Sequence, residues 1–154
     1  MFLTVHGAVG ALIGVSVSSP LTAFALGVLS HGVVDMIPHG DDALFERPTR
    51  AERLRLLLTA TAIDVLLLGT VLFVVFRPDL RTPPLAVLAG VFGGMLPDML
   101  QGMNDLFPSL RFFGTFKRFH NRIHSGIIRS RGTFRMGMMV QVVLLASVVL
   151  LLMR

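Results

Sequence analysis

The chain has 154 residues, 53% of them hydrophobic and only 15% charged. A soluble domain of this size carries about a quarter charged residues, so the composition excludes an ordinary water-soluble domain and predicts one all-α, polytopic membrane helix bundle covering 1–154. The net charge is +5, carried by Arg and the single Lys117; Arg clustered between apolar segments reads as a topology signal facing anionic lipid, not as a nucleic-acid footprint.

The first apolar segment covers residues 2–17 and contains Gly10-Ala-Leu-Ile-Gly14, a small-xxx-small pattern that permits close helix contact. Ala23-Phe24-Ala25 mimics a signal-peptidase site, but no Lys or Arg precedes the apolar run, so the segment reads as a retained helix. Ser18-Ser19-Pro20 predicts a tight turn, with Ser19 capping a second helix and Pro20 in its first turn. That helix is expected to run to about Ile37, where Pro38 ends it. A polar loop follows over residues 39–48, and Thr49 with Glu52 makes a capping box for a third helix reaching Phe76.

Pro83 opens a fourth helix, expected to end near Met103 and containing Gly90-Val-Phe-Gly-Gly94. The segment from 104 to 132 is polar and aromatic. Within it Phe112, Phe113, Phe116 and Phe119 recur at helical spacing among Lys117, Arg118 and Arg122, which predicts an interfacial amphipathic helix over about 109–125. A last apolar helix covers 133–153. The expected architecture is therefore about five transmembrane helices plus one interfacial helix, and its Gly-rich helix faces offer a route to homo-oligomers.

Lys and Arg fix the expected orientation. Arg47, Arg50, Arg53 and Arg55 lie in or beside the second connection, and Arg111, Lys117, Arg118, Arg122, Arg129, Arg131 and Arg135 in or beside the fourth; the other side holds Arg77, Arg81 and Arg154. The positive-inside rule then puts the N-terminus in the cytoplasm and the C-terminus outside, in a bacterial or archaeal cytoplasmic membrane.

With no cysteine in the chain, disulfides, thiolate zinc sites and Cys nucleophiles are excluded. The chemistry-bearing residues are His and Asp, and they are not scattered. His6 sits early in the first helix, His31 and Asp35 share a face late in the second, and Asp98 lies late in the fourth, after Pro97. His120 and His124 are again four apart. The orientation was fixed without any His, yet all five fall on one side. Neutral imidazole and ionised carboxylate both offer lone pairs to a cation; the mixture suits a divalent metal, Zn²⁺ first, with Mn²⁺ and Fe²⁺ as alternatives.

Plainer readings stand beside these. His39 can be an interfacial polar residue, Asp41 and Asp42 turn residues, and His31 with Asp35 an intrahelical hydrogen bond. Arg118 and Arg122 read either as lipid-facing charges or as phosphate ligands. Asp64 lies mid-helix between apolar residues and must find a partner inside the bundle. It can be a deep ligand, an acceptor behind a ligating His, or a neutral acid.

Taken together, His6-Gly7, Ser30-His31-Gly-Val-Val-Asp35-Met-Ile-Pro38-His39, Leu96-Pro97-Asp98 and Phe119-His120-Asn-Arg-Ile-His124-Ser125 resemble bacterial membrane-bound metal-dependent hydrolases. Those proteins are distantly similar to zinc-dependent phospholipase C and P1 nuclease proteins. Larger members of that group often carry an Asp-x-Asp-His element where Pro97-Asp98-Met99 here supplies one Asp. The resemblance implies hydrolysis of a phosphoester in a lipid or lipid-linked substrate at the cytoplasmic face. His6, His31, Asp35, Asp98 and His124 would hold the metal, with His39 and Asp64 as further candidates. His120 would be another ligand or a general acid/base, and Arg118 or Arg122 would bind phosphate. The alternative is a metal-binding or metal- or proton-transporting membrane protein without hydrolysis, in which Asp64 is a relay.

Overall fold

A computed structural model describes residues 1–37, 39, 49–76, 84–127 and 134–154, without the side chains of 123–127. Its regular elements are all α-helices: α1 Leu3–Ser16, α2 Pro20–Val34, α3 Arg50–Phe76, α4 Leu85–Leu106, α5 Arg111–Ile127 and α6 Phe134–Leu152. The local signals act as their chemistry requires. Ser19 Oγ accepts the Thr22 N–H at 3.3 Å, with Pro20 opening α2. Glu52 N–H donates to Thr49 Oγ1 at 3.2 Å while Thr49 N–H donates back to Glu52 Oε2 at 3.2 Å, so the two residues form the expected reciprocal cap just ahead of α3.

Three helices, α3, α4 and α6, are long and apolar enough to cross a membrane. Five such spans were expected, and the difference lies in α1 and α2. They have 14 and 15 residues, or about 21–23 Å at ~1.5 Å per residue, against a hydrocarbon core of about 30 Å. The backbone turns extended at Val17, and α2 gives way at Asp35, short of Pro38.

Close backbone packing holds α1 and α2 to α4. A Cβ placed on Gly10 would run into the Gly90 carbonyl, one on Gly14 into the backbone of Ala86 and Val87, and one on Gly27 into the Gly90 carbonyl again. The small-residue faces are thus spent inside the chain. Ala8, Ala11, Ala23 and Val87 are fully buried along these seams. By contrast α3 and α6 carry large apolar side chains outward: Ile63, Leu66, Phe73, Val142, Val143 and Leu150 are all exposed. A surface that apolar suits hydrocarbon, not water.

Two polar residues bolt α1 in place from flanking helices. Asp64 of α3 accepts the backbone N–H groups of Leu3 and Thr4, the latter at 3.1 Å, and its backbone carbonyl accepts the Thr4 hydroxyl at 2.8 Å. Gln141 of α6 accepts the Phe2 N–H at 2.8 Å. These are the orphan donors of a helix start, and a carboxylate there also meets the positive end of the helix dipole.

The Gly seam makes a stability expectation. Gly90→Val should destabilise the protein by about 1–3 kcal/mol, the usual cost of overpacking, and lower its melting temperature in detergent. Gly69→Ala, where an added Cβ meets nothing within 4 Å, should melt at or above the wild-type temperature because Ala is the better helix former. Equal melting of Gly90→Val and wild type would reject the close contact of α1 and α2 with α4.

Candidate metal centre

Four helices deliver polar side chains to one end of the α1–α2–α4 stack. His6 comes from the first turn of α1, His31 from the last turn of α2, and Asp35 is the residue that caps α2. Asp98 follows Pro97 in α4, where the proline leaves the Gly93 carbonyl without its helical donor. His120 arrives from α5. The expected grouping of His6, His31, Asp35 and Asp98 is therefore present in space, and His120 belongs with them. His124 lies within α5, but its side chain is outside the described residues.

Asp35 is the hub. Its Oδ2 stands 3.0 Å from His31 Nε2 and 3.6 Å from His120 Nε2. Its Oδ1 stands 3.1 Å from His6 Nε2, 3.0 Å from the α-amino nitrogen of Met1 and 3.9 Å from His39 Nε2. Asp98 makes a second, looser set: Oδ1 is 3.6 Å from His31 Nε2 and 3.9 Å from His120 Nε2, and Oδ2 is 3.7 Å from His6 Nε2. Asp35, His6 and His31 are all at most 4% exposed, so these charges are shielded from water and depend on one another.

His31 shows how the site is poised. Its Nδ1 lies 2.9 Å from the Gly94 carbonyl, and a carbonyl can only accept, so Nδ1 carries a proton. A neutral ring then presents a lone pair at Nε2. That lone pair faces Asp35 Oδ2, Asp98 Oδ1 and, at 2.9 Å, His120 Nε2. Lone pairs converging at such distances repel unless a positive charge stands among them, either a proton on a ring or a metal ion. A backbone carbonyl holding the far nitrogen is also the usual support of a metal-ligating His.

The donor set fits a divalent cation. One ligand atom from each of His31, Asp35, Asp98 and His120 lies within 4.8 Å of all the others. Two bonds of ~2.0–2.2 Å to one ion span about 4 Å, so modest contraction closes the set. Two imidazoles and two carboxylates form a borderline donor set that accepts Zn²⁺, Mn²⁺ or Fe²⁺.

Several sequence candidates find other places. Asp64 is occupied at the start of α1 and stands apart from the cluster. His39 is buried beside it: Nδ1 donates to the Ile37 carbonyl at 2.8 Å and Nε2 faces the Met1 nitrogen at 3.0 Å. Arg118 and Arg122 are exposed on α5, where Arg118 donates to Thr115 Oγ1 at 3.0 Å. Sequence reasoning missed Gln141, the α-amino group of Met1 and the Gly94 carbonyl. A lone Gln in an apolar helix was a usable signal; a backbone carbonyl leaves none.

A cavity of about 260 Å³ opens beside the cluster, between α2 and α5. His31, Asp35 and His120 form its polar end, while Val28, Leu29, Pro97, Phe116 and Phe119 make the rest apolar. Phe116 stacks on His120 with ring centroids 6.1 Å apart. Leu29 and Phe119 are well exposed at the outer side. No protein family, curated protein or solved structure matches the chain, and the reading of this site rests on its own geometry.

The four donors come from α2, α4 and α5, so an ion here joins three helices. Metal binding should raise stability by about 2.7 kcal/mol at a hundredfold excess over Kd. Chelation should accordingly lower the melting temperature of wild type and of Arg122→Ala alike, whereas in His31→Ala the chelator-sensitive part should shrink. A His31→Ala variant that melts with wild type, with and without chelator, would rule out the site.

Proposed function

We propose that this protein is a membrane-embedded, metal-dependent hydrolase acting on a phosphoester of a lipid or lipid-linked substrate. The observation that carries the reading is the junction of an apolar cavity with a buried His/Asp donor set. A polar group held at the cluster would leave an attached alkyl chain lying between Leu29 and Phe119, with its outer part in the bilayer. The volume, about 260 Å³, is less than the ~300–1,000 Å³ of pockets that bury whole drug-sized ligands, which suits part of one chain. The resemblance of the His and Asp motifs to membrane-bound metal-dependent hydrolases points the same way.

A divalent cation in such a site supplies charge stabilisation for a phosphoryl oxygen and a water acidified toward pKa ~7. The chain's own residues do the rest. His31, Asp35, Asp98 and His120 hold the ion, Gly94 fixes the His31 ring through its Nδ1 proton, and Phe116 covers His120. Arg118 and Arg122 lie two positions either side of His120, on the opposite, exposed face of α5, where they suit lipid headgroups. Transport is the weaker reading, because Asp64, the residue it needs as a relay, is bonded to the start of α1.

The membrane placement in this proposal is multi-pass, in a bacterial or archaeal cytoplasmic membrane, with α1 and α2 inserted beside the three longer helices and the N-terminus in the cytoplasm. The basic residues support it. Arg50 donates to the Asp105 carbonyl at 3.2 Å and Lys117 pairs with the Asp105 carboxylate at 3.2 Å, so the start of α3 and the second turn of α5 meet the end of α4 nearest Asp98. The cationic groups and the His/Asp cluster thus share one end of the bundle, at headgroup depth on the positive-inside rule.

The test is hydrolysis in nanodiscs. Chelation should abolish phosphate or headgroup release from long-chain substrates, and Zn²⁺ or Mn²⁺ should restore it. Gly32 lines the cavity, and an added Cβ there meets nothing within 4 Å. Gly32→Leu should fit, fill the chain path and cut kcat/KM for a long-chain substrate by about tenfold or more, ~1.4 kcal/mol, while sparing a short-chain water-soluble phosphoester. Turnover that survives thorough chelation would exclude the metal mechanism; equal losses on both substrates would exclude the chain path.

A further inference from the structure

The two carboxylates at the centre of the site are each shared, oxygen by oxygen, between opposite groups of imidazoles. Asp35 Oδ2 and Asp98 Oδ1 face His31 and His120, at 3.0–3.6 Å for Asp35 and 3.6–3.9 Å for Asp98. Asp35 Oδ1 and Asp98 Oδ2 face His6, at 3.1 and 3.7 Å. We propose that this is a two-metal centre in which Asp35 and Asp98 bridge, His31 and His120 hold the first ion, and His6, with His39 behind it, holds the second. The inference rests on the metal-dependent reading above and assigns the ion count and the ligands of each position.

Three observations separate two positions from one. The set whose ligand atoms all lie within 4.8 Å of one another comprises His31, Asp35, Asp98 and His120 and does not extend to His6. His6 nevertheless touches both carboxylates, so it serves the same bridges without sharing the same point. Second, the His6 and His31 rings stack with centroids 4.0 Å apart and planes 26° from parallel. Each sends its Nε2 to a different oxygen of Asp35. Third, the Oδ1 side of Asp35 is already a cation position: the Met1 α-amino nitrogen stands 3.0 Å from Oδ1 and 3.0 Å from His39 Nε2. A carboxylate oxygen and one imidazole thus already face a positive group, and His6 Nε2 stands 3.1 Å from the same oxygen.

The consequence is a division of labour by helix. Loss of His6 should empty the α1 side and leave the α2–α5 side loaded; loss of His120 should do the reverse; loss of Asp35 should empty both.

The experiment uses full-length, C-terminally tagged protein in detergent, saturated with Mn²⁺ and freed of excess ion. Metal per folded chain is measured by elemental analysis, and spin coupling by electron paramagnetic resonance. Wild type should hold about two ions per chain and give the exchange-coupled spectrum of a closely spaced pair. His6→Gln and His120→Gln should each hold about one and give the six-line signal of isolated Mn²⁺, and Asp35→Asn should hold almost none. The wild-type spectrum decides the matter even where a variant fails to fold. One ion per wild-type chain with an isolated signal overturns the proposal and makes His6 a hydrogen-bond donor to Asp35, as does His6→Gln retaining the wild-type ion count. The same preparation assayed for phosphoester release keeps the two readings apart. One ion with chelator-sensitive hydrolysis removes the second position alone, while two coupled ions without hydrolysis of any lipid phosphoester remove the hydrolase reading alone.

Discussion

The contact between backbones at Gly90–Gly94 is the constraint on which the rest of the protein depends. Helices normally stand 8–10 Å apart, held off by their side chains. Here Gly10, Gly14 and Gly27 meet Gly90 and its neighbours with no Cβ between them, and Gly94 lies against the backbone carbonyl of His6. Only at that separation can the short His6 and His31 side chains, on different helices, reach one carboxylate. The same approach brings the Gly94 carbonyl to His31 Nδ1. Packing thus fixes both the position of the His31 ring and its tautomer.

Such a site is costly to build inside an apolar bundle, and the structure shows how the cost is contained. The buried carboxylate of Asp35 meets imidazoles on both of its oxygens and an α-amino group on one, so its charge is compensated. Removing one partner from such a group leaves an uncompensated buried charge, which destabilises far more than the pair itself stabilises. The scaffold around it is held separately. Asp64 and Gln141 occupy the orphan N–H groups at the start of α1, which anchors His6 from outside the cluster.

Much of this was legible in the residues because each signal was local. The turn at Ser19-Pro20, the Thr49–Glu52 cap and the amphipathic helix over Arg111–Ile127 follow from short-range chemistry. The four-residue spacing of His31 and Asp35 placed both on one face. What was not legible depended on distance in three dimensions. The Gly patterns announced close contact but not whether the partner was this chain or another copy. Asp64 announced that it needed a partner, yet three roles fitted a mid-helix acid equally well, and it is bonded instead to a helix start contributed by residues 60 positions away. The count of spans failed for a different reason. Hydropathy counts apolar residues, and α1 and α2 are apolar over most of their length; what shortens them is the break at Val17 and the gathering of Asp35 into the cluster.

One helix links the metal donors to the apolar cavity. α5 supplies His120 to the donor set and Phe116 and Phe119 to the cavity wall, and it packs chiefly on α4. Lys117 adds a polar tie to the same helix through Asp105. Among the described side chains of α5 His120 is the buried one, and its charge partners are the same atoms that would hold the ion. Under the proposed function, an ion pulling on His120 Nε2 also draws Phe116 and Phe119 against α2, so the chain path takes its shape when the chemistry is in place. Without the ion, His31 and His120 face each other with two nitrogens and at most one proton between them, a weaker tie for the same helix. On that reading metal content and the shape of the cavity are coupled through α5.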